Sequence, residues 1–324
     1  MSSLGVVIVC FNSEQFISDC IKTLQASTQQ VALHIVIVDN ASTDATTTVI
    51  ETLNEPLTLI RSEHNLGFAA AVNIGLRHLL ANKSLNDFWL LNPDTKVAKH
   101  TPDAFARDTG RYSMKSGRIL YDTEPNSIQI DGGRVNGWTG VTSNLNLGLC
   151  PCETPLPKPS DLHFVSGASL VVSRDFVEQV GMMPEEYFLY YEEVDWAARS
   201  TRLPMQVVDQ AVVCHAAGAS IGSPTLEQSG SAFSEYFKNR SRLKYMRKYH
   251  RAKLPIALLY GWARAIRFLL RRQNAQAIAV LRGQHGLMPS STITDKLTSS
   301  TLAIINRHSD SHLAKARSSE SSAS

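Results

Sequence analysis

The chain has 324 residues, of which 43% are hydrophobic and 19% are charged, so it can bury a large core and is not a disordered protein. Its five cysteines are an odd number without a Cys-x-x-Cys pair, which argues against a disulfide scaffold and for a reducing compartment. No stretch of about 18 uncharged apolar residues occurs, so a membrane-spanning helix is not expected. The first apolar run, LGVVIVC, is predicted as a strand rather than a signal peptide.

Strands and helices are predicted to alternate at short intervals through the first hundred residues. The runs GVVIVC, LHIVIVD, LTLIR and FWLL have the composition of buried strands, and the segments between them have helical spacing or small-residue composition. This order is typical of an α/β fold with a doubly wound, mostly parallel sheet. Residues 101–165 are richer in turn formers, and the runs SLVVS and MQVVDQAVVCH predict two later strands.

Polar residues repeatedly follow the predicted strands. In a doubly wound sheet, ligands bind beyond the carboxyl ends of the strands, so this repetition predicts a site there. The polar residues at these ends are Asn12, Asp39, Asn40, Asn65, Asn92 and Asp94. No G-x-G-x-x-G follows the first strand and no G-x-x-x-x-G-K-[ST] occurs, which argues against a dinucleotide oxidoreductase and a P-loop NTPase.

Seven motifs occur in an order and spacing that resemble the family 2 inverting glycosyltransferases of GT-A fold, and most of all the bacterial rhamnosyltransferases. They are VVIVCFN, VDNASTD, NLGFAAAVNIGL, LLNPDTKV, FVSGASLVVSRDFVEQVG, YFLYYEEVDWAAR and VVCHAAG. The resemblance covers residues 4–250. It implies a GT-A nucleotide-sugar-binding sheet, a nucleotide-sugar donor, a divalent metal (Mg²⁺ or Mn²⁺) and inversion at the anomeric carbon.

The resemblance assigns the metal to the Asn92-Pro93-Asp94 element and to His215. Asp94 supplies the hard anionic oxygen that such an ion requires. Asn92 stands where the family has an acid, and its neutral amide oxygen binds a cation less strongly. The local alternatives are that Asn92, Pro93 and Asp94 only form a turn and that His215 is an ordinary surface or core histidine.

The EEVD element is expected to carry the catalytic base. Inverting transfer needs a carboxylate that accepts the proton of the acceptor hydroxyl. Glu193 occupies the position of the base in similar enzymes, where Asp is the usual residue, while Glu192 and Asp195 are expected to orient the acceptor or the site. The local alternative is an acidic first turn of a helix, which the helix dipole favours without any catalytic role.

The remaining donor contacts follow from the resemblance. Asp39 is expected to hydrogen-bond the pyrimidine ring of the nucleotide, although a turn or capping role is locally as sensible. The other expected donor-binding residues flank the base, the ribose, the diphosphate or the sugar, and they are Phe11, Asn12, Glu14, Asn65, Gly67 and Asn73, with Asn92 and Asp94 near the diphosphate.

The charge is distributed unevenly along the chain. Residues 1–235 contain 15 Lys and Arg against 26 Asp and Glu, residues 236–294 contain 13 against none, and residues 295–324 contain 4 against 3. Arg264, Arg267 and Arg271 share one helical face among Leu, Ile, Phe and Trp, a pattern of helices that lie on anionic membranes. A nucleic-acid patch and a helix packed on the catalytic part are the alternatives.

These observations predict three parts: a catalytic domain over 1–235 (a nucleotide-sugar-binding half, 1–100, and an acceptor and catalytic half, 101–235), a basic amphipathic helical appendage over 236–294, and a disordered tail over 295–324. The expected function is metal-assisted transfer of a sugar, L-rhamnose from dTDP-L-rhamnose, to a lipid-linked or cell-surface glycan. The expected place is the cytoplasmic face of the cell membrane, without nucleic acid. An inactive sugar-nucleotide-binding scaffold and a nucleic-acid-binding protein are the competing hypotheses.

Overall fold

The computed structural model describes residues 2–200, 203–216, 230–295 and 297–306. Its strands are β1 Ser2–Cys10, β2 Val31–Asp39, β3 Leu57–Arg61, β4 Asp87–Leu91, β5 Thr95–Val97, β6 Met114–Tyr121, β7 Ile128–Ile130, β8 Gly133–Val135, β9 Thr142–Asn144, β10 Ser169–Ser173 and β11 Met205–His215. Its helices are α1 Ile17–Ala26, α2 Thr46–Thr52, α3 Phe68–Leu80, α4 Thr101–Arg107, α5 Arg174–Val180, α6 Glu192–Ala198, α7 Ala232–Tyr249, α8 Leu254–Leu270, α9 Asn274–Gln284 and α10 Ser291–Thr294.

The central sheet has a parallel half and a mixed half. Within the described residues its order is β3-β2-β1-β4-β10-β6-β11-β5, and β7 pairs with β6. The first four strands are mutually parallel, as the sequence predicts. Beyond β4 the pairing is mixed, because β10 runs antiparallel to β4 and β6 whereas β6 and β11 are parallel. The α/β fold is therefore the expected one, with antiparallel pairs added in its second half.

Two apolar layers cover the two faces of the sheet, because its strands are apolar on both sides. One layer includes α1 and α4 residues such as Ile17, Ile21 and Phe105. The other includes α3 and α6 residues such as Leu76 and Trp196. Strands buried on both faces read as continuous apolar runs, which is why the sequence indicates them clearly.

Helix α7 is part of the core rather than an exposed appendage. Leu243 and Met246 belong to the same apolar layer as α3 and α6, and Tyr236 and Phe237 are also fully buried. The helix begins at a Ser231 cap, whose hydroxyl accepts the backbone N–H of Ser234. The predicted appendage therefore begins with a helix that shares its apolar core with α3 and α6.

The predicted disordered tail is wrong in its first part. Residues 299–306 are helical, and Ile305 is fully buried against α7, where its carbonyl accepts a hydrogen bond from Arg240. Residues 307–324 lie outside the described residues. Among the helices that are described, none combines the length and the apolar composition needed to cross a bilayer.

Candidate functional site

The strand ends that the sequence singles out meet at one edge of the sheet. Cys10 at the end of β1 lies opposite Asp39 at the end of β2, and Leu91 at the end of β4 lies opposite Ile8. His215 at the end of β11 lies opposite Thr95, just after the Asn-Pro-Asp element. The parallel pairing of β1, β2 and β4 and the antiparallel pairing of β11 with β5 therefore bring residues far apart in sequence to a common edge.

Asp39 presents an unused acceptor at this edge. Its side chain is only 4% exposed, and Oδ2 accepts the backbone N–H of Ser42 at 3.3 Å. Oδ1 is buried and has no hydrogen-bond partner in the described part of the chain. A buried acceptor without a partner is costly, so a ligand N–H placed there would remove an existing penalty.

The loop after β1 is tied to the loop after β2. Asn12, which has a positive φ of 51°, accepts the Thr43 N–H through Oδ1. One carboxylate oxygen of Glu14 accepts the Ala45 N–H, so this oxygen is used inside the protein rather than on a ribose. Phe11 is 38% exposed at the rim, where an aromatic ring is available to a flat ligand.

A positive φ and a close protein contact require glycine at position 67. Its φ is +85°, and a Cβ on this residue would lie 2.6 Å from the Phe188 carbonyl oxygen. The Asn65 side chain accepts the Gly67 N–H and a hydrogen bond from Asn40, whose own oxygen accepts the Leu66 N–H. Asn40 and Asn65 therefore shape the loop that precedes α3, and Asn40 is a site-forming residue absent from the predicted donor contacts.

Asn73 does not face a donor, which corrects the prediction. It is fully buried, donates to the Met183 carbonyl and to Glu185, and accepts the Met183 N–H. Both ends of its amide are therefore used to fasten α3 to the 183–185 segment.

Asn92, Asp94 and His215 converge on one point. Asp94 Oδ1 lies 3.2 Å from His215 Nε2, and the Asn92 amide nitrogen lies 3.4 Å from the same ring nitrogen. Their side chains remain partly accessible, at 8% for Asp94 and 13% for His215. His215 is 123 positions from Asn92 and 121 positions from Asp94 in the sequence. The fold thus brings distant residues together, as the resemblance implies.

The side chains of Asp94, His215 and Asn92 are suitable ligands for a divalent cation whose coordination is completed by a substrate. In the described residues, no group of three His, Cys, Asp or Glu side chains surrounds a common point. One carboxylate and one imidazole, with an amide beside them, suit Mg²⁺ or Mn²⁺, and Mg²⁺ in particular is held through one or two carboxylates plus phosphates and water. The 3.2 Å separation is near the value of about 3 Å between neighbouring ligands of an ion with bonds of about 2.1 Å.

Glu193 lies beside Gly167, next to the Asn-Pro-Asp element. A Cβ on Gly167 would lie 4.0 Å from the Glu193 carboxyl carbon and 3.7 Å from the Phe68 ring, so a larger side chain at this position would pack against the acid. The next residue, Ala168, accepts the Asn92 backbone N–H at 3.0 Å. Burial raises the pKa of Glu193 to about 7, which is suited to proton transfer near neutral pH.

Glu192 is the more deeply buried neighbour. It is 4% exposed, and its Oε2 has no hydrogen-bond partner among the described residues. Burial, and then the charge of Glu193, raise the pKa of Glu192 well above its usual range. Burial therefore favours the neutral form of Glu192 beside Glu193.

Asp195 is a structural residue, which corrects its expected role at the acceptor. It is fully buried, accepts a hydrogen bond from Tyr187 and is paired with Arg199 at 2.8 Å. Lys248 and Tyr249, both from α7, bind the same carboxylate at 2.7 and 3.0 Å. Both carboxylate oxygens are therefore occupied, and Asp195 joins α6 to α7.

Gln129 is a further residue of the site without any motif to indicate it. Its side-chain oxygen lies 2.7 Å from His215 Nδ1, on the side of the ring away from Asp94. The two residues are 86 positions apart and lie on strands that flank β6. Sequence reasoning could not have found this contact, since it depends on the pairing of short strands in the turn-rich segment.

The family model that matches this chain and the similar proteins named below are all described as sugar transferases. Residues 5–94 match the family described as Glycosyl transferase family 2. The low-salt glycan biosynthesis hexosyltransferase Agl10 of Haloferax volcanii is 26% identical over 74% of this chain and 75% of its own. The N-acetylglucosaminyl-diphospho-decaprenol L-rhamnosyltransferase of Mycobacterium tuberculosis is 25% identical over 87% of this chain and 99% of its own. The dTDP-rhamnosyl transferase RfbF of Shigella flexneri is 24% identical over 77% and 81%.

Solved structures support the fold. The mannosyltransferase PcManGT of Pyrobaculum calidifontis, solved with GDP-Man and Mn²⁺, superposes with a TM-score of 0.52 and covers 86% of both chains at 15% identity. At that identity the likeness concerns the fold alone, which is the mixed α/β sheet described above.

Proposed function

This chain is a glycosyltransferase with a family 2 domain and a GT-A fold that resembles the bacterial rhamnosyltransferases, and we propose that it transfers L-rhamnose from dTDP-L-rhamnose with inversion. The acceptor is a hydroxyl of a lipid-linked or cell-surface glycan, such as lipopolysaccharide or another polysaccharide. Two relatives named as rhamnosyltransferases support the sugar, and the dTDP-rhamnosyl transferase among them supports the nucleotide.

The observation that carries the proposal is Glu193, a partly buried acid that lies beside Gly167 next to the Asn-Pro-Asp element, with a pKa raised to about 7 by burial. When ionised, Glu193 accepts the proton of the acceptor hydroxyl while that oxygen forms its bond to the anomeric carbon. The bond from this carbon to the diphosphate breaks, and its electron pair leaves with the nucleoside diphosphate. Attack opposite the leaving group inverts the anomeric carbon.

The other residues of the edge bind and orient the donor. Asp39 Oδ1 accepts an N–H of the pyrimidine, which supplies the partner that this atom lacks. Asp94 and His215, with Asn92 beside them, would hold Mg²⁺ or Mn²⁺ against the diphosphate. When bound, such a cation stabilises the negative charge on the leaving diphosphate.

An apolar face on α8 supports work at a membrane surface. Its outward side chains are strongly exposed, reaching 68% at Leu259, 53% at Ile266 and 82% at Leu270. Ile256, Trp262 and Leu269 lie on the same face. We define these six residues as the α8 apolar face. An exposed apolar patch on a helix flanked by arginines fits an anionic lipid surface.

The arginines beside this face differ from those expected. Arg264 is paired with the buried Glu235 at 2.6 Å, so its guanidinium is engaged within the protein although its side chain is still partly exposed. Arg267, Arg271 and Arg272 are exposed, and they supply the positive charge next to the α8 apolar face. This arrangement supports peripheral binding at the cytoplasmic face of the cell membrane, where a lipid-linked acceptor is presented.

The proposal is tested by incubating the protein with dTDP-, UDP- and GDP-sugars, Mn²⁺ or Mg²⁺ and a polyprenyl-linked sugar, and measuring the nucleoside diphosphate released. We expect release of dTDP from dTDP-L-rhamnose that requires both the metal and the acceptor. Binding of dTDP without release from any donor would favour the scaffold hypothesis instead. Release of UDP or GDP alone would overturn the nucleotide assignment and leave the enzyme class intact.

A further inference from the structure

A β-bulge turns Gln129 toward the imidazole of His215. In the pairing of β6 with β7, Ile119 lies opposite Ile130 and the next residue, Leu120, lies opposite Ile128, so Gln129 is the extra residue. Bulges re-aim a side chain and are frequent next to active sites. Gln129 is 7% exposed, its oxygen is 2.7 Å from His215 Nδ1, and its amide nitrogen is 3.4 Å from the His215 carbonyl oxygen.

The contact of the Gln129 amide nitrogen with the His215 carbonyl determines which group donates in the contact of the Gln129 oxygen with Nδ1. A backbone carbonyl only accepts hydrogen bonds, so the NH₂ end of the Gln129 amide has to face the His215 carbonyl. The oxygen end then faces Nδ1, and because this oxygen also only accepts, Nδ1 carries the hydrogen. In the neutral ring the lone pair is therefore on Nε2, the nitrogen that lies 3.2 Å from Asp94.

We propose that Gln129 is the positioning residue of the metal site: it holds His215 in the tautomer and ring orientation that direct the Nε2 lone pair to the point shared with Asp94. This inference rests on the proposed function, because it supposes that a divalent cation occupies that point. Metal-binding histidines commonly donate their other N–H to a carboxylate, carbonyl or water, and here the side-chain amide oxygen of Gln129 accepts it.

The surroundings of Gln129 are suited to this role. Its backbone carbonyl accepts a hydrogen bond from Asn144 at 3.1 Å, and the neighbouring Ile128 is bonded through both its N–H and its carbonyl to the 148–149 segment. The bulge is therefore held from the side opposite β6. An amide in this position orients the ring without adding a charge. It therefore leaves the attraction between the cation and the diphosphate unchanged.

The first test uses the wild-type protein and no metal. Nitrogen-15 correlation spectra of the imidazoles at about pH 9, where a free imidazole is neutral, distinguish the two tautomers. The His215 signal is identified by its loss in His215→Gln. We expect a protonated Nδ1 and an unprotonated Nε2. A His215 ring protonated on Nε2 would overturn the proposal.

The second test measures Mn²⁺ binding by electron paramagnetic resonance, with dTDP present. Gln129→Leu removes the acceptor and should weaken Mn²⁺ binding by about 10–100-fold, the usual cost of losing such a partner. Gln129→Glu keeps an oxygen toward Nδ1 and should bind Mn²⁺ at least as tightly as the wild type. Gln206→Leu, at the opposite end of the strand that carries His215, is the matched control and should change nothing.

The outcomes separate this inference from the proposed function. Normal Mn²⁺ binding by a folded Gln129→Leu would overturn the positioning role while leaving the enzyme and its metal in place. If Gln129→Leu does not fold, a tenfold loss in Gln129→Glu would overturn the role equally. Absence of Mn²⁺ binding by the wild type with dTDP would overturn both the metal in the proposed function and the role of Gln129 that depends on it.

Discussion

The edge of the sheet at the ends of β1, β2 and β4, which we propose as the donor edge, and the α7–α9 segment use their charged residues in opposite ways. At the donor edge, acidic groups are not fully used within the protein: Asp39 Oδ1 has no hydrogen-bond partner in the described residues, and Glu193 is only partly buried. In α7–α9, several basic groups are turned inward. Arg240 and Arg242 are buried and donate to backbone carbonyls, and Arg264 is paired with Glu235.

The difference shows that a count of charges along the chain does not indicate where the charges point. The basic segment is fastened to the domain partly by acids, since Asp195 and Glu186 both pair with Lys248 of α7. What α8 presents outward is mainly apolar, with arginines at its side. Acids at the donor edge are thus candidates for chemistry, whereas most buried cations of α7 and α8 serve architecture.

The largest effect is expected at Glu193. Gln preserves the shape of the side chain and cannot accept the proton, so Glu193→Gln should lower the transfer rate by about 10²–10⁴-fold. Donor affinity should be unchanged, which calorimetry with dTDP and Mn²⁺ would check. Glu186→Gln, an exposed acid near the same helix, is the control. Near-normal turnover in Glu193→Gln would contradict its assignment as the base.

The pH profile gives a second measure of Glu193. Burial raises its pKa to about 7, and the carboxylate is the active form. The value of kcat/KM should therefore fall about tenfold per pH unit below pH 7 and level off above it. Because Glu192 and Glu193 interact, the observed midpoint belongs to the pair. A rate independent of pH from 5 to 8, with chemistry rate-limiting, would contradict a base of this kind.

The second effect concerns Asp94, which supplies the anionic oxygen next to His215. Asp94→Ala should weaken metal-dependent dTDP binding by at least about 100-fold. Loss of a residue that only hydrogen-bonds a metal ligand costs about 10–100-fold, and loss of the ligand itself should cost more. Asn92→Asp should tighten metal binding by adding a charge. Calorimetry with and without Mn²⁺ measures both variants. Asp122→Ala removes an acid paired with Lys96 and is the control; unchanged affinity in Asp94→Ala would refute the metal assignment.

The third effect is on stability rather than catalysis. Asp195→Ala removes a fully buried carboxylate that accepts from Arg199, Lys248 and two tyrosines, and leaves Lys248 with Glu186 alone. The free energy of unfolding should fall by about 3 kcal/mol, at the low end for a broken buried pair because both cations are partly exposed. Glu186→Ala, which breaks an exposed pair with the same lysine, should cost at most about 1 kcal/mol. Equal costs in urea unfolding would contradict the buried network.

The smallest effect is expected at the lipid surface. Ile266→Glu with Leu270→Glu should abolish flotation with anionic liposomes, because two charges would enter the α8 apolar face. Arg267→Glu with Arg271→Glu should weaken binding to anionic liposomes, measured by flotation, by roughly 1 kcal/mol for each arginine lost. High salt should cause part of the same loss in the wild type. Lys22→Glu with Lys83→Glu makes the same charge change at two exposed lysines within residues 1–100, away from α8, and is the control. Equal flotation of all three variants would mean that α8 does not contact lipid.

The sequence by itself determined the parallel half of the sheet and the edge where its polar residues gather. Buried parallel strands have continuous apolar composition, and β1 to β4 follow one another closely, so local pattern and short connections sufficed for them. The pairing of Asp94 with His215 followed from the resemblance of motifs rather than from any local pattern.

The tertiary structure alone decided which charged and polar groups are used inside the protein. Asn73 contacts a carbonyl 110 positions away, Asp195 binds a lysine 53 positions away, and Arg264 binds a glutamate 29 positions away. Gln129 reaches His215 through a bulge between short strands. Such contacts depend on how distant segments pack, and a long polar side chain can turn inward or outward from the same helix position. Its direction is therefore set by the partner it meets after folding, which no local pattern records.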